Sequence, residues 1–303
     1  MKTNIHSGFT FAASLLVRLR AHVYSCLLLA KPRIVLLVAV TGASAMALEG
    51  SLAVDPGRFS AILAGIILAA SAANAFNQYL DRDIDRLMPR TRNRRPIPAG
   101  KINPKTAVYV GFIFSGSATA LLYCAGNGLT VLLGIGAIFI YVIVYTIWLK
   151  RRTAMNIVFG GASGAAAPLI GWSAGAGELG IIPFLMALVI FLWTPPHFWS
   201  LALSIKEEYA HAGIPMLPVI SGEAATRVHI TAYTLGLIPA TAFLGVQADL
   251  GLFFLIGTTL LGLNFFRHLV ALWYRKDRHS ARKLFFFSIF YMAGVFILII
   301  FST

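Results

Sequence analysis

Apolar residues fill long, nearly unbroken runs of this chain, and polar residues collect in short segments between them. The runs fall at roughly 34–53, 59–80, 107–125, 128–148, 156–175, 180–203, 228–247, 250–273 and 284–302. A helix of about 20 apolar residues crosses the hydrocarbon core of a bilayer with its backbone bonded internally. The pattern therefore predicts an all-α polytopic membrane protein, a bundle of nine transmembrane helices within residues 31–303. The fifth run is the least apolar, and its Gly160, Gly161 and Gly164 suit close helix packing better than lipid contact. The sixth carries Pro195 and Pro196, so a kink or break is expected near its end.

Charge orients the bundle. Of the 25 Lys and Arg, all except Arg58 lie before the first run or at and beyond the ends of the second, fourth, sixth and eighth. The positive-inside rule puts that side in the cytoplasm, with the N-terminus inside and the C-terminus outside, which requires an odd number of spans. The expected location is a cell inner membrane, multi-pass, with the polar chemistry facing the cytoplasm. The long inner loops, 81–106 and 204–227, lie four spans apart, which hints at two related four-helix halves plus one helix.

Composition supports the same class. The chain is 58% hydrophobic and 12% charged, and a soluble domain carries about twice that charged fraction. A net charge of +14 spread over short loops does not describe a nucleic-acid surface, so no nucleic-acid partner is expected. Cys26 and Cys124 lie far apart and make no CxxC. The apolar stretch near the N-terminus is interrupted by Arg18, Arg20 and His22, unlike a signal peptide. Residues 1–30 are expected to form a cytoplasmic, interfacial segment, amphipathic over 10–30, leading into Lys31, Pro32 and Arg33.

Chemistry gathers at the end of the second run. Asn77, Asp81 and Asp85 are spaced i, i+4, i+8, a stripe on one helix face that drifts by about 40° per step. Asn74 joins that face, and Asp83 points elsewhere. Two carboxylates and an amide oxygen in a row suit a hard ion such as Mg²⁺, which commonly bridges to phosphates. A solvated helix end with an Asp/Arg ladder would use the same residues, but acids and amides this close to a membrane tend to be functional. The loop that follows carries Arg86, Arg90, Arg92, Arg94 and Arg95. Positive-inside charge accounts for part of this density. Guanidinium forks beside metal-holding carboxylates are also what a diphosphate needs.

A second inner cluster is more diffuse. Tyr145 and Lys150 end the fourth run, Asn156 begins the fifth, and His197 follows the two prolines of the sixth. Beyond it come Lys206, Glu207, Glu208 and Tyr209. Glu207 and Glu208 could supply a second metal, and Lys150 and Lys206 could hold phosphate oxygens, although a lysine at a helix end is often a snorkelling anchor. His197 reads either as a packed histidine or as a haem ligand.

These residues resemble a known family. The stripe Asn77, Asp81, Asp85 is similar to the first aspartate-rich motif of the intramembrane prenyltransferases, the UbiA superfamily. The stretch from Asp81 through Arg94, Arg95, Pro96, Ile97 and Pro98 more specifically resembles that superfamily's haem branch, the protohaem IX farnesyltransferases (haem O synthases). So do the segments Tyr145–Arg151, Asn156–Gly161, Thr194–Ala202 and Ala212–Val219. The superfamily's second motif is commonly a pair of aspartates four apart. Here it reads Lys206, Glu207, Glu208, Tyr209, so one Mg²⁺ is expected rather than two.

The resemblance implies transfer of farnesyl from farnesyl diphosphate to a vinyl group of haem b, which is substrate rather than permanent cofactor, giving haem o. Asn77, Asp81 and Asp85 would hold Mg²⁺ against the diphosphate. Arg94, Lys150 and Lys206 would neutralise the leaving group, with Asn74, Arg95, Tyr145, Asn156 and Glu208 lining the substrates and His197 on the haem side. Implied partners are farnesyl diphosphate, haem b and the lipid bilayer, with a terminal oxidase assembly or a haem-modifying enzyme as further candidates. Competing readings are a related prenyltransferase with another aromatic acceptor, a non-catalytic haem-binding membrane protein, and a transporter. Acids confined to helix ends on one side disfavour the last.

Overall fold

The computed structural model describes Arg20 and residues 23–303. The expectation of an amphipathic segment over 10–30 falls largely outside the described residues; of that stretch, residues 23–29 are helical. Among the described residues, nine helices are long and apolar enough to span a bilayer. They are α1 (Pro32–Glu49), α2 (Pro56–Leu80), α3 (Pro104–Ala125), α4 (Gly128–Leu149), α5 (Asn156–Ala176), α6 (Ile181–Ser204), α7 (Gly222–Gln247), α8 (Gly251–Arg275) and α9 (Arg278–Ser302). Each corresponds to one apolar run. The helices reach a few residues beyond several runs because polar caps, not apolarity, set their ends. Asp55 accepts from the Arg58 N–H at the head of α2, Asn127 from Thr130 N–H on α4, and Asp277 from Ser280 N–H on α9. Pro32, Pro56 and Pro104 stand in the first turn of α1, α2 and α3, where a missing N–H costs nothing.

The helices form a closed arrangement. α2 packs on α3, α1 on α5, α6 on α7, and α8 on α9, while α9 also contacts α6 and returns to α1. Ser44 of α1 donates to the Phe296 carbonyl of α9 at 2.8 Å and fastens that closure. At one end, the segments after α2 and α6 each fold into a pair of short helices, Arg82–Leu87 with Pro89–Arg92 and Lys206–His211 with Leu217–Ile220. That equivalence agrees with the spacing of the two long loops.

Two local features differ from the sequence expectation. α6 does not break at Pro195 and Pro196; it runs on to Ser204, with both prolines buried among neighbouring helices. The interruption falls instead in α5, between Asn156–Gly164 and Ala166–Ala176. Pro168 cannot donate to the Gly164 carbonyl four residues back, so the ladder opens there. In α4, the last ten residues, Ile140–Leu149, adopt a π-helix, a rare conformation that favours functional sites.

Small residues bring α5 close to its neighbours, as its composition suggests. A Cβ on Gly160 would lie 2.6 Å from the Tyr145 ring, and one on Gly161 would meet Thr194 at 3.0 Å. At Gly171 the neighbour is backbone: a Cβ would stand 2.5 Å from the Gly42 carbonyl oxygen of α1. At Gly65 the neighbour is the Leu122 side chain, at 2.7 Å, which can turn aside. Gly171→Ala is therefore expected to cost about 1–3 kcal/mol of stability and Gly65→Ala less. Thermal unfolding in detergent checks the order; equal midpoints for the two variants would contradict it.

Candidate active site

The helical stripe at the end of α2 is buried. α2 closes with Asp81 as its cap, and the chain turns directly into the Arg82–Leu87 helix, whose Asp85 N–H donates to the Asp81 carbonyl at 2.8 Å. The i, i+4 relation of the two acids thus survives the change of helix. Asp81 and Asp85 are 1% and 3% exposed, and Asn77 is 2% exposed.

Two carboxylates cannot sit in such a place without counter-charge. Each has one. Lys150 Nζ bonds Asp81 Oδ2 from the end of α4. Arg95 Nη1 bonds Asp85 Oδ2 at 2.5 Å, bringing the basic loop back onto the stripe. Thr91 Oγ1 donates to the Asp85 carbonyl at 2.9 Å and folds that loop. Asn77 Nδ2 donates to Asp81 Oδ2 at 2.7 Å and to Thr146 Oγ1 at 3.1 Å. The π-helix matters here. Thr146 Oγ1 donates to the Tyr141 carbonyl five residues back, and Lys150 N–H donates to the Tyr145 carbonyl, again five back. This wider turn sets both Thr146 and Lys150 against α2. At the rim, Arg151 makes a two-pronged bond with Asp83 at 2.8 and 2.9 Å. That bond holds the Asp83 carboxyl below its ordinary range and raises Arg151.

Lys31 is the member that sequence reasoning left out. Its Nζ donates to Asn77 Oδ1 at 2.8 Å across 46 residues of chain. Burial, then the Arg95 charge, push its ammonium well below the usual lysine value, while Asp81 pulls the other way. Only the pair Lys31-Pro32 at the start of the first run could have drawn attention to it.

The structure brings Asn77, Asp81, Asp85, Arg95 and Lys150 together, with Tyr145 buried beside them under the Lys150 ammonium, 5.9 Å from its ring centre. Asn74 holds the approach to α1 instead, donating to the Ala30 carbonyl at 3.0 Å. Asn156 is wholly buried; its Nδ2 donates to the Thr153 carbonyl, and its Oδ1 has no partner among the described residues. Arg94 is exposed, and Arg95 takes the place expected of it. Lys206 faces Glu223 at 3.5 Å rather than the stripe. Glu207 pairs with Arg278, and Glu208 accepts from the Arg90 N–H at 3.5 Å. The two glutamates diverge, and among the described residues no three His, Cys, Asp or Glu form a metal-holding group. His197 is 9% exposed, stacked between Trp193 and Phe285 at 4.4 and 4.6 Å, with Nδ1 on Ser288 Oγ at 2.8 Å. This geometry gives it a packing role between α6 and α9.

The donor set fits one hard divalent cation. Asp81 Oδ1 is buried with no partner among the described residues; Asp85 follows one turn along the stripe, and Asn77 presents its amide nitrogen to Asp81 Oδ2 and its oxygen to Lys31. An apolar cavity of about 110 Å³ starts one turn away, lined by Ile34, Val38, Ala73, Asn74, Tyr141 and Ala167 among others.

Comparison with known proteins identifies the family. The UbiA prenyltransferase family matches residues 35–290. A protoheme IX farnesyltransferase of Gloeobacter violaceus is 46% identical over 273 residues, covering 89% of this chain and 88% of the relative. Among solved structures, a digeranylgeranylglyceryl phosphate synthase superposes with a TM-score of 0.76 at 16% identity, over 94% of this chain and 98% of the other. A UbiA homologue from Archaeoglobus fulgidus, bound to DMAPP and Mg²⁺, gives 0.67 at 18% identity, over 91% and 99%. With most of its length matched by the family and by a relative this similar, the chain is a multi-pass membrane protein that belongs to the UbiA prenyltransferase family.

Proposed function

We propose that this chain transfers a farnesyl group from farnesyl diphosphate to a vinyl group of protohaem IX, giving haem o. The observation that carries the reading is the meeting of Asn77, Asp81 and Asp85 with Lys150 and Arg95 at the end of an apolar cavity. The identity of the acceptor rests on the 46% identical relative, which bears the name protoheme IX farnesyltransferase. Metal dependence is supported by the buried, unpartnered oxygen of Asp81 and by the Mg²⁺ bound in the Archaeoglobus homologue. The positive-inside distribution supports a cell inner membrane location with this site toward the cytoplasm.

The residues divide the work. Asn77, Asp81 and Asp85 would hold a single Mg²⁺, which supplies charge that stabilises the departing diphosphate. Lys150 and Arg95 stand where diphosphate oxygens would lie and donate to them as the carbon–oxygen bond breaks and its electron pair leaves with oxygen. The apolar cavity of about 110 Å³ would seat the allylic end of the prenyl chain. Tyr141 lines the cavity where the allylic cation would form, backed by the Tyr145 ring at 5.5 Å, and the packed helices would keep water from it. The vinyl carbon then bonds to the allylic carbon. Water adds to the resulting porphyrin-side cation and loses a proton, which leaves the hydroxyethyl group. No covalent bond to the protein is needed.

Asp81→Asn and Asp85→Asn keep the size of each side chain and remove its charge. Each is expected to reduce haem o formation by about 100-fold or more, with the fold retained at lowered stability because a buried cation loses its partner. Incubation of purified protein with haem b, farnesyl diphosphate and Mg²⁺, with mass analysis of the porphyrin, measures this directly. Near wild-type turnover in either variant would overturn the assignment. Chelation of divalent ions should stop product formation, and added Mg²⁺ should restore it. For His197, stacked on both faces, the expectation is a lowered melting temperature in His197→Ala with an unchanged haem absorption spectrum. A shifted or lost Soret band in that variant would instead mark it as a haem ligand.

A further inference from the structure

Lys31 has a left-handed backbone, φ 54° and ψ 67°. That conformation is uncommon for a non-glycine residue; Asp249 and Lys276 share it at helix ends. Here α2 fixes it. Asn74 bonds the Ala30 carbonyl, and Gln78, one turn on, bonds the carbonyls of Leu28 and Leu29 at 2.9 Å each. The turn ahead of α1 is therefore clamped so that Lys31 Nζ reaches Asn77 Oδ1.

A pattern follows along the stripe: each of its three groups has its own cation. Lys31 serves Asn77, Lys150 serves Asp81, and Arg95 serves Asp85. An amide needs no counter-charge, so the neutrality of the protein alone does not explain Lys31. With Lys31 in its ammonium form, three cations face two carboxylates, and one divalent ion raises the surplus to three positive charges. That matches the three negative charges of a fully ionised diphosphate monoester. Without Lys31 the surplus falls one short.

We propose that Lys31 is a diphosphate-binding residue, donating to a non-bridging oxygen of the bound prenyl diphosphate while the Asn77 oxygen passes to the divalent ion. The inference rests on the prenyl diphosphate reading of this site and adds a residue from a distant part of the chain. It makes the turn before α1 part of the substrate site rather than a membrane anchor.

Calorimetric titration of the purified full chain tests it, with Mg²⁺ alone and then with farnesyl thiolodiphosphate in the presence of Mg²⁺. Lys31→Gln removes the charge and keeps a polar donor. It should bind the analogue about tenfold or more weakly, the worth of a lost charge-assisted bond. Lys31→Arg should recover most of that loss. Mg²⁺ alone should bind Lys31→Gln at least as tightly as wild type, since a cation next to the ligand oxygens is gone. A merely structural lysine would weaken both ligands together, and that parallel loss would overturn the inference. Wild-type affinity for the analogue in Lys31→Gln would overturn it as well, with the wider reading intact. A wild-type protein that fails to bind the analogue would instead remove the prenyl diphosphate reading, and this inference with it.

Discussion

Burying two carboxylates at the edge of a membrane bundle is the constraint around which this end of the molecule is built. An unpaired buried charge costs several kcal/mol, and breaking a buried pair by deleting one partner costs about 3–5. Asp81 and Asp85 meet that cost with Lys150 and Arg95, which come from different segments of the chain. Those bonds in turn fix the loop after α2 and the end of α4. The cluster thus ties three separate segments of the chain together through its ion pairs.

Close approach makes that arrangement possible. Glycines on α5 admit the Tyr145 ring and Thr194 to near contact, and Gly171 lets α5 touch the backbone of α1. The wide turn of α4 between Ile140 and Leu149 shifts Thr146 and Lys150 onto α2. Regular α-helical spacing would have presented other residues there. At the opposite end of α2, Arg58 bonds the last carbonyls of two neighbours, Ala125 at 2.9 Å and Ala174 at 3.0 Å. The one cation that breaks the charge asymmetry is accounted for as a tie between helix ends.

The second inner loop plays a different part from the one its glutamates suggest. Glu207, Glu208 and Lys206 each find a partner outside the stripe, in Arg278, the Arg90 backbone and Glu223. They lace the ends of the bundle together. Acid residues adjacent in sequence on a short helix point in different directions, and spacing alone does not reveal which of them converge.

The apolar runs are a one-dimensional property, and they determined the nine membrane-length helices found among the described residues. The stripe of Asn77, Asp81 and Asp85 was legible for the same reason, since helical periodicity orders residues within one segment. Tertiary structure decided what long-range contact alone can decide: that Arg95 and not Arg94 meets Asp85, that Lys206 faces away, that His197 is packed, and that Lys31 crosses 46 residues to reach Asn77. It also decided that Pro168 opens its helix while Pro195 and Pro196 do not. A freed carbonyl can be accommodated or not according to its neighbours, and no local pattern records who those neighbours are.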